Sequence, residues 1–111
     1  MMADLAESQR KITNLLSMAA RARRIVSGSF SVTEAVKKGQ AAFLLIAADA
    51  ATETKNDCRH LAETYKVPFA EVLDRETLGQ CLGKEYRAMA ALTDAGFAKK
   101  LRQLLEEQAM R

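Results

Sequence analysis

The cysteine, histidine and carboxylate positions are where catalysis would first show, and in this chain they do not assemble. Two cysteines, Cys58 and Cys81, and one histidine, His60, are too few to fill a four-ligand structural zinc site from Cys and His alone. Cys58 shares i, i+3, i+4, i+7 spacing with Leu61, Ala62 and Tyr65, so it reads as a small buried hydrophobe on a helical stripe. Cys81 stands two positions before a glycine turn and is expected to pack inward. His60 lies off that stripe and has no triad partner at any telling spacing. Asp49 follows an apolar run and reads as a helix cap or turn former. The segment G79-Q-C-L-G83-K84-E85 superficially suggests a phosphate loop. Such a loop needs four residues between its glycines and Ser or Thr after the lysine, and here there are three, then Glu85. The sequence therefore predicts no enzyme, no metal and no cofactor.

Binding chemistry has more to work with. The 111 residues carry 17 Lys and Arg against 14 Asp and Glu, a net charge of +3 that favours acidic partners only weakly. The clusters say more than the total. Arg21, Arg23 and Arg24 lie together, Lys37 and Lys38 pair, Lys99, Lys100 and Arg102 form a third group, and Lys84 and Arg87 flank Glu85 and Tyr86. Between the first two clusters runs G28-S-F-S-V-T-E-A-V-K-K-G39, a helix with glycine at each end. Val32, Ala35 and Val36 share its buried face, and Phe30, Glu34 and Lys37 project on the opposite one. Two starting registers fit. If Ser29 is the cap, Phe30 is exposed and Glu34 points outward. If Ser31 is the cap, S31-V-T-E34 forms a capping box and Phe30 staples against Ala35.

These residues must be held by elements that the hydrophobic pattern outlines. Ile12, Leu15, Leu16 and Ala19 make one stripe on a helix near residues 8–22, closed by the arginines. Ile25-Val26 is briefly extended. The continuous apolar run A42-F-L-L-I-A-A-D49 reads as a central strand covered on both faces, which favours parallel neighbours. A helix over 53–66 follows, then a strand P68-F-A-E-V-L73, a short helix capped by Asp74 through Cys81, and a last strand over Y86–T93. Asp94 caps a final helix that turns Phe97, Leu101, Leu104 and Leu105 inward. Helices and strands alternate throughout. The fold class is α/β: a three-layer α/β/α sandwich around a small, mixed, about four-stranded sheet. One domain over 1–111, with its ordered core at about 8–106, is expected. The first residues are too polar for a secretory segment and no run is long enough to span a membrane, so a reducing cytoplasm with free thiols is expected.

The ordered landmarks also carry a resemblance. A20-R-A-R-R-I-V-S-G28, the G28–G39 helix, L44-L-I-A-A-D49-A with T54-K55, V67-P68, L78-G79, G83-K84-E85 and T93-D-A-G-F-A98 together resemble the bacterial YlxQ-type branch of the kink-turn-binding ribosomal-protein superfamily, the L-seven-Ae / L-thirty-e group. The resemblance covers most of residues 10–105. It implies a sandwich that binds folded RNA without catalysis, associated with the ribosome or translation apparatus. In that family the start of the second helix enters the groove of a kinked RNA helix, and a loop before the last strand covers a flipped-out nucleotide. The family's reading triplet Asn, Glu, Lys falls here at Phe30, Ser31 and Glu34, none of which matches, and the loop positions fall at Lys84, Glu85 and Tyr86, followed by Arg87. The RNA-binding set so implied is Arg21, Arg23, Arg24, Gly28, Ser29, Phe30, Ser31, Glu34, Lys37, Lys38, Lys84, Glu85, Tyr86 and Arg87. The resemblance also implies that the first helix end, the second helix start and the 84–87 loop meet at one edge. Structured RNA, and with it ribosomal or translation-factor proteins, are the expected partners. The alternative is a protein-interaction module on the same scaffold, with Phe30 as its anchor and Glu34 as a rim charge.

Overall fold

The computed structural model describes residues 2–110, with side chains described from Ala6 onward. The elements run α1 (Met2–Arg21), β1 (Ile25–Ser27), α2 (Ser29–Lys37), β2 (Phe43–Ile46), α3 (Thr52–Tyr65), β3 (Phe69–Glu71), α4 (Arg75–Cys81), β4 (Met89–Leu92) and α5 (Ala95–Ala109). The expected stripe Ile12, Leu15, Leu16 and Ala19 is buried, but α1 begins at Met2, earlier than the apolar pattern alone indicates.

The sheet order is β1-β4-β2-β3. β4 pairs antiparallel with β1 (Ile25↔Leu92) and with β2 (Phe43↔Leu92), while β2 pairs parallel with β3 (Leu44↔Phe69). β1, β2 and β3 thus share one direction and β4 alone opposes them. β2 is an inner strand with all four residues buried, as its unbroken apolar run requires. It has a parallel neighbour on one side only. Helices α2 and α3 cover one face of the sheet, and α1, α4 and α5 cover the other. The core between these layers is aliphatic, built from residues such as Leu16, Leu44, Leu45, Leu92 and Leu101.

Two expectations are corrected by tertiary packing. β4 begins at Met89 rather than Tyr86, because residues 83–88 are held in a loop by bonds to other elements. Tyr65, placed on the inner stripe of α3 by spacing, is 43% exposed at the last turn of that helix.

The shared direction of β1, β2 and β3 has a geometric consequence. Each leads into a helix, so the first turns of α2, α3 and α4 gather at one end of the sheet, hereafter the rim. The last turns of α1, α2 and α3 gather at the opposite end, the base. Gly28 N–H donates to Met89 O at 3.2 Å, Ala47 N–H to Ala88 O at 2.8 Å and Arg87 N–H to Arg75 O at 3.1 Å, all at the rim. Thr93 N–H donates to Arg24 O at 2.8 Å and Ala42 N–H to Leu92 O at 2.7 Å, both at the base.

Candidate functional site

The rim is assembled from α2, α4 and the loop that precedes β4. Gly28 precedes α2 with φ 89°, a backbone region open to glycine and strained for other residues. It serves as the N-cap, and its carbonyl accepts from Val32 N–H at 3.0 Å. This settles the starting register. The helix starts at Ser29 with Gly28 as cap, one residue ahead of the Ser29-cap register; no side chain caps it, and the S31-V-T-E34 capping box does not form. Glu34 instead pairs with Lys38 one turn on, at 3.5 Å and in solvent, a contact worth about 0.3–0.5 kcal/mol. The first N–H groups of α2 have no acceptor within the helix and carry the positive end of its dipole. Phe30 projects from that turn, 79% exposed.

The 83–88 loop lies beside this turn. Lys84 N–H donates to Gly79 O at 2.8 Å, and the Arg87 guanidinium donates from Nε to Ser27 Oγ at 3.0 Å and from its Nη1 to Tyr86 O at 2.8 Å. Arg87 therefore ties the loop to the residue just ahead of Gly28. Tyr86 is left 61% exposed. Gly79, buried in α4, is the seat of the loop: a Cβ there would meet the Glu85 carbonyl oxygen at 2.6 Å and Tyr86 Cα at 2.9 Å. Because Gly79 lies inside a helix, the apparent phosphate loop is excluded by structure as well as by spacing.

Two carboxylates hold α4 in place. Asp74 Oδ1 accepts from Thr77 N–H at 2.7 Å as the expected cap, a bond that lowers the Asp74 pKa. Asp49 Oδ1 accepts from Arg75 N–H at 2.8 Å, and its other oxygen lies 3.5 Å from Arg75 Nε. Asp49 therefore serves as a cap for α4 supplied from across the chain. Cys58 is buried, and burial pushes its thiol up to about 11. Burial also raises the Cys81 thiol, against a smaller opposing hydrogen bond with Ser17. His60 is exposed. Among the described residues no group of three or more His, Cys, Asp or Glu is placed to hold a metal, and no helix is long and apolar enough to cross a membrane.

The expectation that all three segments meet at one edge is corrected. The start of α2 (Gly28, Ser29, Phe30 and Ser31) and the loop carrying Lys84, Glu85, Tyr86 and Arg87 lie at the same rim, joined through the Gly28–Met89 and Arg87–Ser27 bonds. Arg21, Arg23 and Arg24 do not join them, because β1 runs from Arg24 at the base to Ser27 at the rim. Lys37 and Lys38 close α2 at the base, about 13 Å from its first turn along the axis. Rim cations are consequently few: Lys84 shares a depression with the carboxylates Glu76 and Glu85, and Arg87 is engaged with Ser27 and the Tyr86 carbonyl. Two positions were missed by sequence reasoning. Gly79 was visible only as a landmark, and Ser27 meets Arg87 across sixty positions, which no local pattern signals.

Known proteins are similar to this chain in sequence and fold. The family model described as "Ribosomal protein L7Ae/L30e/S12e/Gadd45 family" matches residues 10–102. The chain is 40% identical over 92 residues to the RNA-binding protein YlxQ of Bacillus subtilis (strain 168), covering 83% of this chain and 92% of that protein. It is 29% identical over 99 residues to the RNA-binding protein YlxQ of Enterococcus faecium, covering 89% and 95%. A Bacillus halodurans C protein of unknown function superimposes with a TM-score of 0.81 at 35% identity, over 85% of this chain and 95% of that one. The Giardia lamblia 15.5kD RNA binding protein shares the fold at a TM-score of 0.69 and 22% identity, over 88% and 90%.

Proposed function

The chain belongs to this L7Ae/L30e/S12e/Gadd45 ribosomal-protein family, and from that membership we propose that it is a non-catalytic, cytoplasmic RNA-binding protein of the translation apparatus that grips folded RNA at its rim. The observation that carries the reading is the side-by-side placement of the uncapped first turn of α2 and the loop bearing Tyr86 and Arg87, locked by the 3.0 Å bond to Ser27. A helix N-terminus with open N–H groups receives a phosphate or an electronegative base edge. A kink in an RNA duplex exposes base edges that a regular A-form helix hides. Phe30 and Tyr86 offer flat exposed rings to an unpaired base, at about 1–3 kcal/mol per stack. Lys84 and Arg87 supply phosphate contacts. The relative named an RNA-binding protein, 40% identical, supports the same assignment.

Phe30, Ser31 and Glu34 occupy the places where kink-turn readers of the family carry Asn, Glu and Lys, so this rim holds an aromatic and an acid where those carry an amide and a cation. The rim therefore selects RNA by shape and stacking more than by that triplet. Fluorescence anisotropy with a kink-turn RNA and a straight duplex of equal length tests this over a salt series. Saturable, salt-sensitive binding to the kinked RNA is expected. The triple variant Phe30→Asn, Ser31→Glu, Glu34→Lys is expected to tighten it. No saturable binding at low ionic strength refutes the reading.

A protein-interaction module is favoured by a different observation. The cleft between α2 and α3, lined by Ser29, Thr33, Thr54 and Met89, also presents Glu53 and Asp57, and acids beside the rim oppose phosphate. Protein partners that persist after nuclease treatment, with no RNA recovered, support that alternative.

A further inference from the structure

The cations that the rim lacks are at the base. Arg21, Arg23 and Arg24 lie at the turn from α1 into β1, and all three are exposed. Lys37 closes α2 at the same end, and Lys99 and Lys100 lie one turn into α5. Lys100 borders a surface depression with Leu15 and Met18 of α1, one turn from Arg21. Among the described residues none of these six is within ion-pair distance of a carboxylate. Of the nearby acids, Glu34 holds Lys38, Asp94 accepts from Phe97 N–H at 2.9 Å and borders the depression with Lys100, Glu107 lines the adjoining groove, and Glu63 lies in the last turn of α3.

Helix dipoles alone do not explain this pattern. A cation in the last turn complements a dipole, which suits Arg21 and Lys37. Lys99 and Lys100 lie one turn past the Asp94-capped start of α5, a place where the dipole gives a cation no favour. The backbone adds a second argument. α1 ends in a Schellman motif, with Arg24 N–H to Ala19 O at 2.8 Å and Arg23 N–H to Ala20 O at 3.1 Å. Its left-handed position, ordinarily glycine, is Arg23 with φ 59°. α3 ends alike, with Val67 N–H to Ala62 O at 2.9 Å and Lys66 at φ 56°. α2, ending the same way at Gly39 with φ 73°, uses the unstrained residue. Twice at this end a long cation occupies a position whose backbone disfavours it.

We propose that the base is a second RNA-binding surface, reading no sequence and gripping the phosphodiester backbone of a helical segment distinct from the one at the rim. This rests on the RNA-binding reading above. An unpaired cationic surface on the opposite end of a body 38 × 29 × 28 Å in extent fits a polyanion that runs past one end or bridges two copies. Each phosphate neutralised releases counterions, so the logarithm of affinity falls with the logarithm of salt by about 0.9 per contact.

The test compares three proteins on the kink-turn RNA and on the plain duplex: the wild type, a base variant (Arg21→Gln, Arg23→Gly, Arg24→Gln) and a rim variant (Lys84→Gln, Tyr86→Ala). Circular dichroism melts establish that each is folded, and a second base variant, Lys99→Gln with Lys100→Gln, serves if the first is not. The first base variant is expected to lower the salt slope by about 2.7 on both RNAs. Its deficit relative to the wild type is then about 40-fold larger at ~50 mM than at ~200 mM salt. It keeps the preference for kinked RNA, which the rim variant loses. An unchanged slope in the base variants overturns this inference and leaves the rim reading standing. Wild-type protein that binds neither RNA overturns both. Base variants that lose binding only to vesicles of mixed phosphatidylserine and phosphatidylcholine overturn the inference in favour of a lipid surface.

Discussion

Gly79→Ala probes how the rim is built. The added Cβ would stand 2.6 Å from the Glu85 carbonyl oxygen, 2.8 Å from the Glu85 carbonyl carbon and 2.9 Å from Tyr86 Cα. Ordinary contact begins near 3.4 Å, so the loop must retreat by about 0.8 Å. All three neighbours are backbone, and no rotamer change relieves them. Overpacking of this kind costs about 1–3 kcal/mol. Alanine in a helix interior returns about 0.5–1 kcal/mol over glycine. The net is a destabilisation of about 0–2.5 kcal/mol, or a melting temperature lower by up to about 10 °C for a domain of this size. Retreat of the loop also strains the Lys84 bond to Gly79 and draws Arg87 away from Ser27. RNA affinity should fall about tenfold, equivalent to about 1.4 kcal/mol. Urea unfolding and anisotropy titration on the same preparation measure both. A variant as stable as the wild type or more so, with unchanged RNA binding, refutes the claim that α4 seats the loop and that the seat matters to the rim.

Phe30→Ala should leave the unfolding midpoint within about 0.5 kcal/mol, because the ring is exposed, and weaken RNA binding by about 1–3 kcal/mol if it stacks on a base. Arg23→Gly should raise stability by up to about 1 kcal/mol in urea unfolding, since glycine relieves the left-handed strain at φ 59° but adds freedom to the unfolded chain. Cys58 should resist thiol reagents at pH 8 until denaturant is added, which timed labelling reads. Its thiol is raised from 9.0 to about 11 in the folded state, so the stability it contributes is full below pH 9 and is lost as pH rises from about 9 to 11. Leu45→Ala, at the fully buried centre of β2, should cost about 2–5 kcal/mol.

Features that depend on local pattern were legible in the sequence. The Ile12, Leu15, Leu16, Ala19 stripe, the inner strand Phe43–Ile46 and the caps Asp74 and Asp94 all follow from periodicity or from one side chain bonding to a nearby N–H. The α2 start was legible only as two registers. S31-V-T-E34 satisfies the capping-box pattern, but Gly28 at φ 89° turns the chain first and is itself the cap, one residue ahead of the Ser29-cap register and three ahead of the Ser31 one. The last strand begins three residues late because Gly79, Arg75 and Ser27 capture residues 84–87, contacts separated in sequence that leave no local trace. The split of the basic clusters between rim and base follows from the same kind of information. Only the antiparallel pairing of β1 with β4 fixes that Arg24 meets Thr93 while Gly28 meets Met89.

Amide chemical shifts of isotope-labelled protein titrated with kink-turn RNA test the central claim most directly. The account predicts that the amides of Ser29, Phe30 and Ser31 and of Lys84 through Arg87 move together and saturate together. Saturation with those amides unmoved, and the shifts centred instead on the groove between α1 and α5 around Asn14 and Gln103, would contradict it.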